Sequence, residues 1–386
     1  MLSALVSPEV QEYILENLQA EPATIALKKA VFENVSMADI ASQIAARQRI
    51  KTKLPALYDK SGLLFPPKLN LEQSSSAETA TYKGQPHSGK RLLDLTGGLG
   101  IDTMAFAQQF EEVHYCEHNA ELAAIAAHNF KTLGLDNITV HVGDSLQVLA
   151  RGHWDIIYCD PDRRSKVQRA FRLEDCEPNV VALQERLLRH TNRLLIKAAP
   201  MLDLDQAQRQ LPSLKQVTVL AVKGEVKELL LLCEAQATTL THMAVNLTSA
   251  GAEIDEIGVV NEPITFADPK TYLYLPHAAL MKLQAFDYVA YKYKLDKLSV
   301  NSHIFTADEL VYFPGRRFRL LKQFPYAKKT MREYQKQDYL VISKNFPLPV
   351  AKLRQQYKIK DAGNNYLIFT TLLDGQRVVL EAEPIL

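Results

Sequence analysis

The sequence of 386 residues predicts an α/β protein with a seven-stranded sheet, an N-terminal helical domain and a C-terminal α+β module. Strand-like and helix-like segments alternate from about residue 91 to residue 237, which predicts a mostly parallel sheet. The last two strands of this region are separated by KGEVK, which is too short for a crossover helix, so we expect them to be antiparallel. Before and after this region the alternation stops.

Residues 1–72 are predicted to form the helical domain. In SPEVQEYILENL, Ser7 is a suitable N-cap and Pro8 suits the first helical position. TIALKKAVF is a second helical segment. A third helix, SMADIASQIAARQRIKTKLPAL, opens with Ser36 and Asp39 in the manner of a capping box.

Residues 73–240 are predicted to form the sheet domain, beginning with a short helix in SSAETATYK. One of its later helices ends at Gly134, a good residue for a helix C-terminus. The seven predicted strands are RLLDLT, EVHYCEH, ITVHVGD, WDIIYCDP, RLLIKAAP, VTVLAV and ELLLLCEA.

The remaining chain divides into a connecting region, 241–318, and a final module, 319–386. In the first, TTLTHMAVNL resembles a strand, GAEIDEIGVVNEPITFADP is predicted to be mostly loop, and a small ferredoxin-like unit is expected near its end. Between Lys282 and Lys360 the chain has 17 Lys and Arg against 6 Asp and Glu, although its total net charge is only +1. This asymmetry predicts a basic module that binds a partner.

Composition excludes several classes of protein. The four cysteines form no C-x-x-C pair, which favours free thiols in a reducing cytoplasm over disulfides or a metal site. No stretch approaches the roughly 20 apolar residues that cross a membrane, so no membrane partner is expected. The N-terminus carries early glutamates and no basic segment, unlike a signal peptide.

The stretch LLDLTGGLGIDTMAF contains a glycine turn between a strand and a helix, as nucleotide sites do. A dinucleotide site requires G-x-G-x-x-G, which fails because Leu99 and Thr103 occupy positions where glycine is needed. A P-loop requires a lysine that does not follow Gly100. Neither pattern explains the acid at the end of the strand.

Acidic residues at four successive strand ends point instead to S-adenosylmethionine, a ligand with an ammonium group, a ribose and an adenine but no phosphate. Asp94 can meet the ammonium group, Glu117 the ribose hydroxyls and Asp144 the adenine amine, and Asp160 is the acid at the end of the fourth strand. Glu117 and Asp144 could equally be helix N-caps. Gly98 and Gly100 would let the backbone approach the sulfonium region. The same turn contributes Thr96, where a further glycine is common, and Asp102.

With these motifs, residues 73–240 resemble the class I S-adenosylmethionine-dependent methyltransferases, whose Rossmann-like sheet has seven strands. The resemblance implies cofactor contacts at the residues named above. It also implies that QSSSAETATYK is an upstream cofactor segment, with Ser75, Ser76 or Thr79 near the cofactor carboxylate. The alternative is that a serine caps a short helix.

Asp160 and Pro161 end the fourth predicted strand and are the candidate catalytic residues. A carboxylate and a turn carbonyl there can accept hydrogen bonds from an exocyclic amine and align it for direct in-line methyl transfer. The motif here is DPDRR, whereas amino-methyltransferases typically have [D/N]-P-P-[Y/F] at this position. The sequence therefore does not decide which atom accepts the methyl group or whether the protein is catalytic. A cysteine nucleophile is disfavoured for two reasons. Enzymes that form 5-methylpyrimidines carry their cysteine after the fifth strand, where this sequence has KAAPM, and Cys159 is expected to be buried.

Other residues are candidates for binding the substrate. Arg163 and Arg164 would hold a phosphate or a base edge, or else pair with nearby acids, and Lys197 ends the fifth strand. The segment FPGRRFRLLKQFPYAKKTMREYQKQ combines cations with aromatic residues, as RNA-binding surfaces do, although a solvated basic face is the alternative. Its candidate residues are Arg316, Arg317, Lys328 and Lys329.

The whole chain resembles a bacterial methyltransferase family with a C-terminal THUMP-like domain, and the tail carries this resemblance at Lys352, Lys360, Gly363 and Tyr366. The resemblance implies structured RNA, either tRNA or rRNA, as the partner, with methylation at a base nitrogen. DNA or protein methylation, and a non-catalytic RNA-binding protein on a methyltransferase fold, are the alternatives.

Overall fold

The computed structural model describes residues 2–66, 71–72, 74–163 and 172–385. The chain divides into two compact units. The first unit is Met1–Val217 with Leu229–Leu240, and the second is Thr218–Glu228 with Thr241–Leu386. Within the described ranges, every helix is too short or too polar to span a membrane.

The N-terminal part of the first unit is helical, as predicted. Ser36 caps its longest helix, where Oγ accepts from the amide of Asp39 at 3.1 Å. The predicted third helix is broken, because Pro55 has no amide hydrogen to continue it and instead starts a separate turn. The helices are Leu2–Leu5, Pro8–Glu16, Pro22–Ala26, Met37–Ile50, Pro55–Tyr58 and Ala77–Gly84.

A buried arginine connects the helical part to the segment that follows it. Arg47 is fully buried and donates to the carbonyls of Tyr58 at 2.8 Å and Leu63 at 3.0 Å. It also donates to Gln11 Oε1 at 3.2 Å. Burial lowers the pKa of Arg47 to about 10, against an opposing effect of the Asp59 charge. These bonds fix the irregular segment 58–63 to the helices.

The central sheet contains the seven predicted strands in a doubly wound order and extends by two more, with a separate two-stranded ribbon beside it. These strands are β1 Gly89–Asp94, β2 Phe110–Glu117, β3 Ile138–Val142, β4 Ile156–Cys159, β5 Asp162–Arg163, β6 Cys176–Glu177, β7 Arg193–Ala198, β8 Leu214–Val222, β9 Glu225–Glu234, β10 Thr241–Thr248 and β11 Gly251–Ile257. The order in the sheet is β11-β10-β8-β9-β7-β4-β1-β2-β3, and β5 and β6 form the ribbon. β9 is antiparallel to β7, whereas β1, β2, β3, β4 and β7 pair in parallel.

The strand count corrects the sequence prediction. Strand β10 lies in a segment predicted to be a strand, but β11 lies in one predicted to be mostly loop. β11 is an edge strand that pairs with β10 from Gly251 to Ile257. It is rich in acidic residues and mostly exposed, so it lacks the alternation of apolar residues that identifies a half-buried strand.

Among the described residues, five helices lie between strands of the central sheet along the chain, at the positions where the strand–helix alternation predicts them. Asn119, Asp144, Asn179 and Asp203 cap four of these helices through side-chain oxygens. The five helices are Ile101–Phe106, Ala120–Thr132, Ser145–Leu149, Val180–Leu188 and Leu204–Gln210.

The second unit contains a further seven-stranded sheet. Its strands are β12 Tyr272–Pro276, β13 Asp296–Lys297, β14 Phe305–Ala307, β15 Gly315–Pro325, β16 Leu340–Ser343, β17 Tyr366–Thr371 and β18 Arg377–Ile385. The order is β13-β14-β12-β15-β18-β17-β16, and within the described residues β16 and β17 are its one parallel pair. Its α-helices are Ala278–Lys282, Phe286–Tyr293 and Val350–Tyr357, and a 3₁₀ helix covers Thr330–Tyr334.

The glycine turn after β1 is packed tightly against β2 and the helix after it. A Cβ atom on Gly97 would lie 2.1 Å from the ring of Tyr115, and one on Gly100 would lie 2.5 Å from the ring of Phe130. Gly100 also has a φ of +78°, which L side chains rarely adopt. Packing alone therefore requires glycine at both positions.

We expect Gly100→Ala to destabilise the protein by more than its backbone angle explains. Gly134→Ala is the matched control, because Gly134 has a φ of +71° and a Cβ atom there would meet no described atom within 4 Å. The control should lose about 1 kcal/mol for the left-handed backbone. Gly100→Ala should lose a further 1–3 kcal/mol, roughly, from the overlap with Phe130.

Urea unfolding of both variants measures the difference. Equal losses of stability would mean that the ring of Phe130 moves aside without cost.

Candidate functional site

The carboxyl ends of β1, β4 and β7 meet at one edge of the central sheet. In register, Asp94 lies opposite Tyr158, and Cys159 lies opposite Ile196. The residues that follow, Asp160 and Lys197, are therefore neighbours, and Lys197 Nζ lies 2.5 Å from Asp160 Oδ2. In open α/β sheets this edge is where ligands bind.

Asp94 lies under the glycine turn and holds it in shape. Its Oδ1 accepts from the amide of Thr96 at 3.0 Å and its Oδ2 from the hydroxyl of Thr103 at 2.6 Å. Burial raises the pKa of Asp94 to about 7, although both hydrogen bonds oppose the shift. This carboxyl is therefore poised to change charge near neutral pH, and a cation brought to it would favour the ionised form.

Thr96 connects this turn to the end of β4. Its Oγ1 accepts from the amide of Asp160 at 2.6 Å, so the backbone of the candidate catalytic residue is fixed by the turn. Thr96 stands at a position where related turns often have glycine, so the sequence gave no indication of this hydrogen bond. The hydroxyl supplies an acceptor that glycine lacks.

Gly98 and Glu117 lie together at the ends of β1 and β2. The Gly98 amide donates to Glu117 Oε2 at 3.0 Å, and Glu117 Oε1 accepts from the amide of Asn119 at 2.8 Å. A Cβ atom on Gly98 would meet only the carbonyl of Thr96 among the described residues, at 3.8 Å. The space beside Gly98 is thus open, in contrast to the filled space beside Gly97 and Gly100.

Asp144 follows β3 and caps the helix Ser145–Leu149. Its Oδ1 accepts from the amide of Leu146 at 2.9 Å, and the residue is exposed. The N-cap alternative from the sequence therefore holds for one oxygen of this carboxylate. A contact to an adenine amine would use the other oxygen.

Asp102 belongs to a buried polar network rather than to the open side of the turn. Lys83 Nζ lies 3.1 Å from its Oδ1, and its Oδ2 accepts from the hydroxyls of Tyr158 at 2.7 Å and Ser75 at 2.9 Å. Burial alone would raise its pKa, but the ammonium groups of Lys83 and Lys197 hold the pKa of Asp102 well below its usual value. Asp102 is therefore an ionised structural anion.

The upstream segment predicted to meet the cofactor is largely occupied by internal contacts. The Ser75 hydroxyl accepts from Lys83 Nζ at 2.9 Å and from Lys197 Nζ at 3.3 Å, besides donating to Asp102. Ser76 Oγ caps the helix Ala77–Gly84 by accepting from the amide of Thr79 at 3.3 Å. The Thr79 hydroxyl in turn donates to the carbonyl of Ser76 at 3.2 Å.

Lys83 and Tyr158 are the members of this network that the sequence did not predict. The Lys83 side chain is fully buried, and Tyr158 is 1% exposed. A weak signal exists, because Lys83 is one helical turn after Thr79 on the buried face of its helix. The partner of Lys83 could not be read from the sequence.

Asp160 differs from Asp102 in its environment. Its side chain is 35% exposed, whereas that of Lys197 is 12% exposed. Burial raises the pKa of Asp160, and the Lys197 charge and hydrogen bond oppose the shift. Asp160 is thus a carboxylate that reaches the open edge while a largely buried cation fixes one of its oxygens.

The remaining predicted residues lie in several places. Pro161 is buried directly after Asp160, and Arg163 lies in β5, opposite Cys176. Arg164 lies outside the described residues. In the second unit, Arg316 and Arg317 begin β15, and Lys328 and Lys329 are exposed before the 3₁₀ helix. Cys159 is buried, and burial raises the pKa of its thiol, which agrees with the expectation that it is no nucleophile.

Three family models match successive parts of the chain. A model described as RNA cap guanine-N2 methyltransferase matches residues 89–182. A ferredoxin-like domain matches residues 272–314, and a THUMP domain-like model matches residues 315–384.

Solved and curated proteins are similar to the chain over different lengths. The crystal structure of a "putative methyltransferase" from Porphyromonas gingivalis W83 is 33% identical, with a TM-score of 0.88 over 98% of each chain. An uncharacterized S-adenosylmethionine-dependent methyltransferase of Mycobacterium tuberculosis is 24% identical over 48% of this chain and 50% of its own. The chain thus spans about half the length of the curated relatives it first matches. A 23S rRNA (uracil-C5) methyltransferase of Shewanella amazonensis is 32% identical over 24% of this chain and 22% of its own.

We expect Tyr158→Phe to destabilise the first unit by about 1.5–3 kcal/mol, because it removes a hydrogen bond to a buried charge. Tyr82→Phe is the matched control, since it removes a partly buried hydroxyl on the neighbouring helix for which no hydrogen bond is found among the described residues. The control should change stability by less than about 0.5 kcal/mol. Chemical unfolding measures both, and a tolerated Tyr158→Phe would show that Lys83 and Ser75 suffice for Asp102.

Proposed function

Because the chain belongs to the class I S-adenosylmethionine-dependent methyltransferases that carry a C-terminal THUMP-like domain, we propose that it methylates a base nitrogen of structured RNA, either tRNA or rRNA. The observation that carries the proposal is the position of Asp160. This carboxylate stands at the open edge of the sheet, beside the glycine turn, with its backbone held by Thr96 and its side chain by Lys197.

S-adenosylmethionine, when bound, supplies a methyl group on a sulfonium that needs no further activation. The strand-end residues fit such a ligand. The open space beside Gly98 admits a close approach to the backbone, and the carboxylates of Asp94 and Glu117 suit an ammonium group and ribose hydroxyls. An edge lined by carboxylates would repel the phosphates of a nucleotide cofactor. We assign the cofactor contacts to Asp94, Gly98 and Glu117, with Asp144 on the adenine.

In the proposed mechanism Asp160 accepts a hydrogen bond from the exocyclic amine of the acceptor base. This bond and the carbonyl in the turn at Pro161 hold the amine so that its lone pair faces the methyl group. Lys197 keeps the carboxylate in one orientation, because Asp160 Oδ2 is bound to its ammonium group. The other oxygen is then the one that meets the substrate. No protein nucleophile takes part, in agreement with the buried Cys159.

Three findings support RNA as the substrate class. The THUMP domain-like model that matches residues 315–384 is a domain type that the family resemblance associates with structured RNA. The model that matches residues 89–182 is described as an RNA cap guanine-N2 methyltransferase. The segment from Lys282 to Lys360 carries 17 basic against 6 acidic residues, which suits a polyanion.

Label transfer tests this function directly. The full chain is incubated with methyl-labelled cofactor and deproteinised total RNA from cells that lack the gene, and the RNA nucleosides are then separated by mass. Label in an N-methylated base supports the proposal. Label in DNA or protein in parallel reactions, with none in RNA, would reassign the substrate. Cofactor binding without transfer to any of the three would favour the non-catalytic alternative.

We expect Asp160→Ala to lower kcat by about 10²-fold or more, because the acceptor amine loses its alignment. Cofactor affinity should stay within about threefold, since the side chain is assigned to the substrate. Glu121→Gln removes a negative charge from an exposed helix position of the same unit and should leave both quantities unchanged. Full turnover by Asp160→Ala would remove Asp160 from the mechanism.

Cofactor affinity should decrease as the pH falls below 7. The pKa of Asp94 is about 7, so acid neutralises the carboxyl that is assigned to the cofactor ammonium. The affinity at pH 6 should be weaker than at pH 7.5 by roughly fivefold. The loss of ionised Asp94 is partly offset because the cofactor's α-amino group is almost fully protonated at pH 6 and about two-thirds protonated at pH 7.5. Calorimetry of the wild type and Asp94→Asn at both pH values measures this. Equal affinities for the wild type would contradict the assignment, and the variant should show little pH dependence.

A further inference from the structure

The main-chain pairing of β1 with β4 stops just before Asp160. The register ends at Asp94 and Tyr158, and one further bond joins the amide of Leu95 to the carbonyl of Tyr158 at 3.0 Å. Beyond this bond a side chain is the acceptor, because the Asp160 amide donates to Thr96 Oγ1 at 2.6 Å. The amide of the candidate catalytic residue is therefore held by a hydroxyl and not by the ladder of the sheet.

Thr96 also contacts the carboxyl that is assigned to the cofactor. Its amide donates to Asp94 Oδ1 at 3.0 Å. The two hydrogen bonds lie in series, from Asp94 to the main chain of Thr96 and from the Thr96 side chain to Asp160. One residue thus connects the assigned cofactor carboxyl with the backbone of the residue that is assigned to the substrate.

The rest of the glycine turn is held by other bonds. The Gly97 amide donates to the carbonyl of Cys116 at 2.8 Å, and the hydroxyl of Tyr115 donates to the carbonyl of Gly98 at 2.6 Å. Both partners belong to β2. Loss of the threonine hydroxyl would therefore leave the turn attached to β2 and would release mainly the amide of Asp160.

Cofactor binding would strengthen the first of the two bonds in the series. Asp94 is 1% exposed, and burial raises its pKa to about 7, so part of the protein carries a neutral carboxyl at neutral pH. A cofactor ammonium group beside Asp94 favours the ionised form, and an amide bonds more strongly to a carboxylate than to a neutral carboxyl. Occupancy of the cofactor site therefore holds Thr96, and through it Asp160, more firmly.

We propose that Thr96 is a positioning residue that transmits occupancy of the cofactor site to Asp160 and so aligns the acceptor amine for methyl transfer. The inference rests on the proposed function for the role of Asp160. Glycine, which is common at this position in related turns, cannot accept the bond, so the connection depends on the hydroxyl. The amine is then aligned best when the methyl donor is present.

Methyl transfer by the full chain tests the role of the hydroxyl. Initial rates are measured with methyl-labelled S-adenosylmethionine and deproteinised total RNA from cells that lack the gene, for the wild type, Thr96→Val and Thr96→Ser. Valine keeps the shape and the main-chain bond to Asp94 but removes the acceptor, so kcat should fall about tenfold while the KM for the cofactor stays within about threefold. Serine keeps the acceptor, and its kcat should lie within about threefold of the wild type.

A double-mutant cycle separates positioning from a general loss of structure. If the hydroxyl acts through Asp160, Thr96→Val should slow transfer by less than about twofold in the Asp160→Ala background. Thr191→Val is the matched control, because Thr191 Oγ1 accepts from the amide of Arg193 at 3.1 Å, at the opposite end of β7 from Lys197. Both valine variants should lower the midpoint of urea unfolding, whereas Thr191→Val should leave kcat unchanged.

The outcomes separate this inference from the proposed function. If the wild type labels RNA, three results would overturn the positioning role and leave RNA methylation intact. These are full turnover by Thr96→Val, an equal loss in the Asp160→Ala background, and the same loss of kcat in Thr191→Val. If the wild type labels no RNA, the proposed function fails, and a measurement on Asp160 itself decides the positioning role.

That measurement is the amide resonance of Asp160, which selective labelling isolates. Cys159 and Asp160 form the one Cys–Asp pair in the sequence, so ¹³C-carbonyl cysteine combined with ¹⁵N-aspartate marks this amide alone. S-adenosylmethionine should shift the resonance saturably in the wild type and in Thr96→Ser, and much less in Thr96→Val. An unshifted resonance in the wild type, or an equal shift in Thr96→Val, would overturn the inference.

Discussion

The buried contact between Lys83 and Asp102 is the interaction on which the candidate site depends. A carboxylate with so little exposure stays ionised only when cations and hydroxyl donors surround it, and Lys83, Ser75 and Tyr158 provide them. These partners come from the upstream segment, the helix that follows it and β4. Removing any one leaves a buried charge short of a partner, so the network holds the elements in one arrangement. The network thereby also fixes the positions of the glycine turn and of the strand ends.

Lys197 extends this constraint from the interior to the open edge. Its ammonium group lies 3.7 Å from Asp102 Oδ2 and 2.5 Å from Asp160 Oδ2, so one cation serves two carboxylates. The two acids respond differently, because the pKa of Asp102 is lowered and that of Asp160 is raised. Asp102 has a second ammonium group in direct contact, that of Lys83, whereas Lys83 acts on Asp160 only as a more distant charge. The environment thus separates a permanent structural anion from a carboxylate that can respond to a ligand.

The sequence predicted the features that depend on local periodicity and on the geometry of parallel strands. Alternation of strands and helices indicated the seven strands of a mostly parallel sheet, and the ends of parallel strands bring Asp94 and Asp160 to one edge. It did not predict the role of Asp102, whose partners lie 27 and 56 positions away at Ser75 and Tyr158. The separate roles of the glycines in the turn could not be predicted for a related reason. The absence of a side chain at Gly98 leaves open space beside the turn, whereas at Gly100 it makes room for the ring of Phe130. The residue type alone does not distinguish these two roles.

For the proposed RNA substrate, the two units differ in the charge that they offer. The strand-end edge of the first unit is lined by carboxylates, so a phosphodiester that approached it would be repelled. An uncharged base can approach Asp160 without that cost, provided that it leaves its stack. The cations of the second unit can hold the backbone of the same RNA, and this would offset part of the free energy of exposing the base. On this view the basic module is required for catalysis as well as affinity, because an acidic site that accepts only a base has no means of attracting the polyanion that carries it.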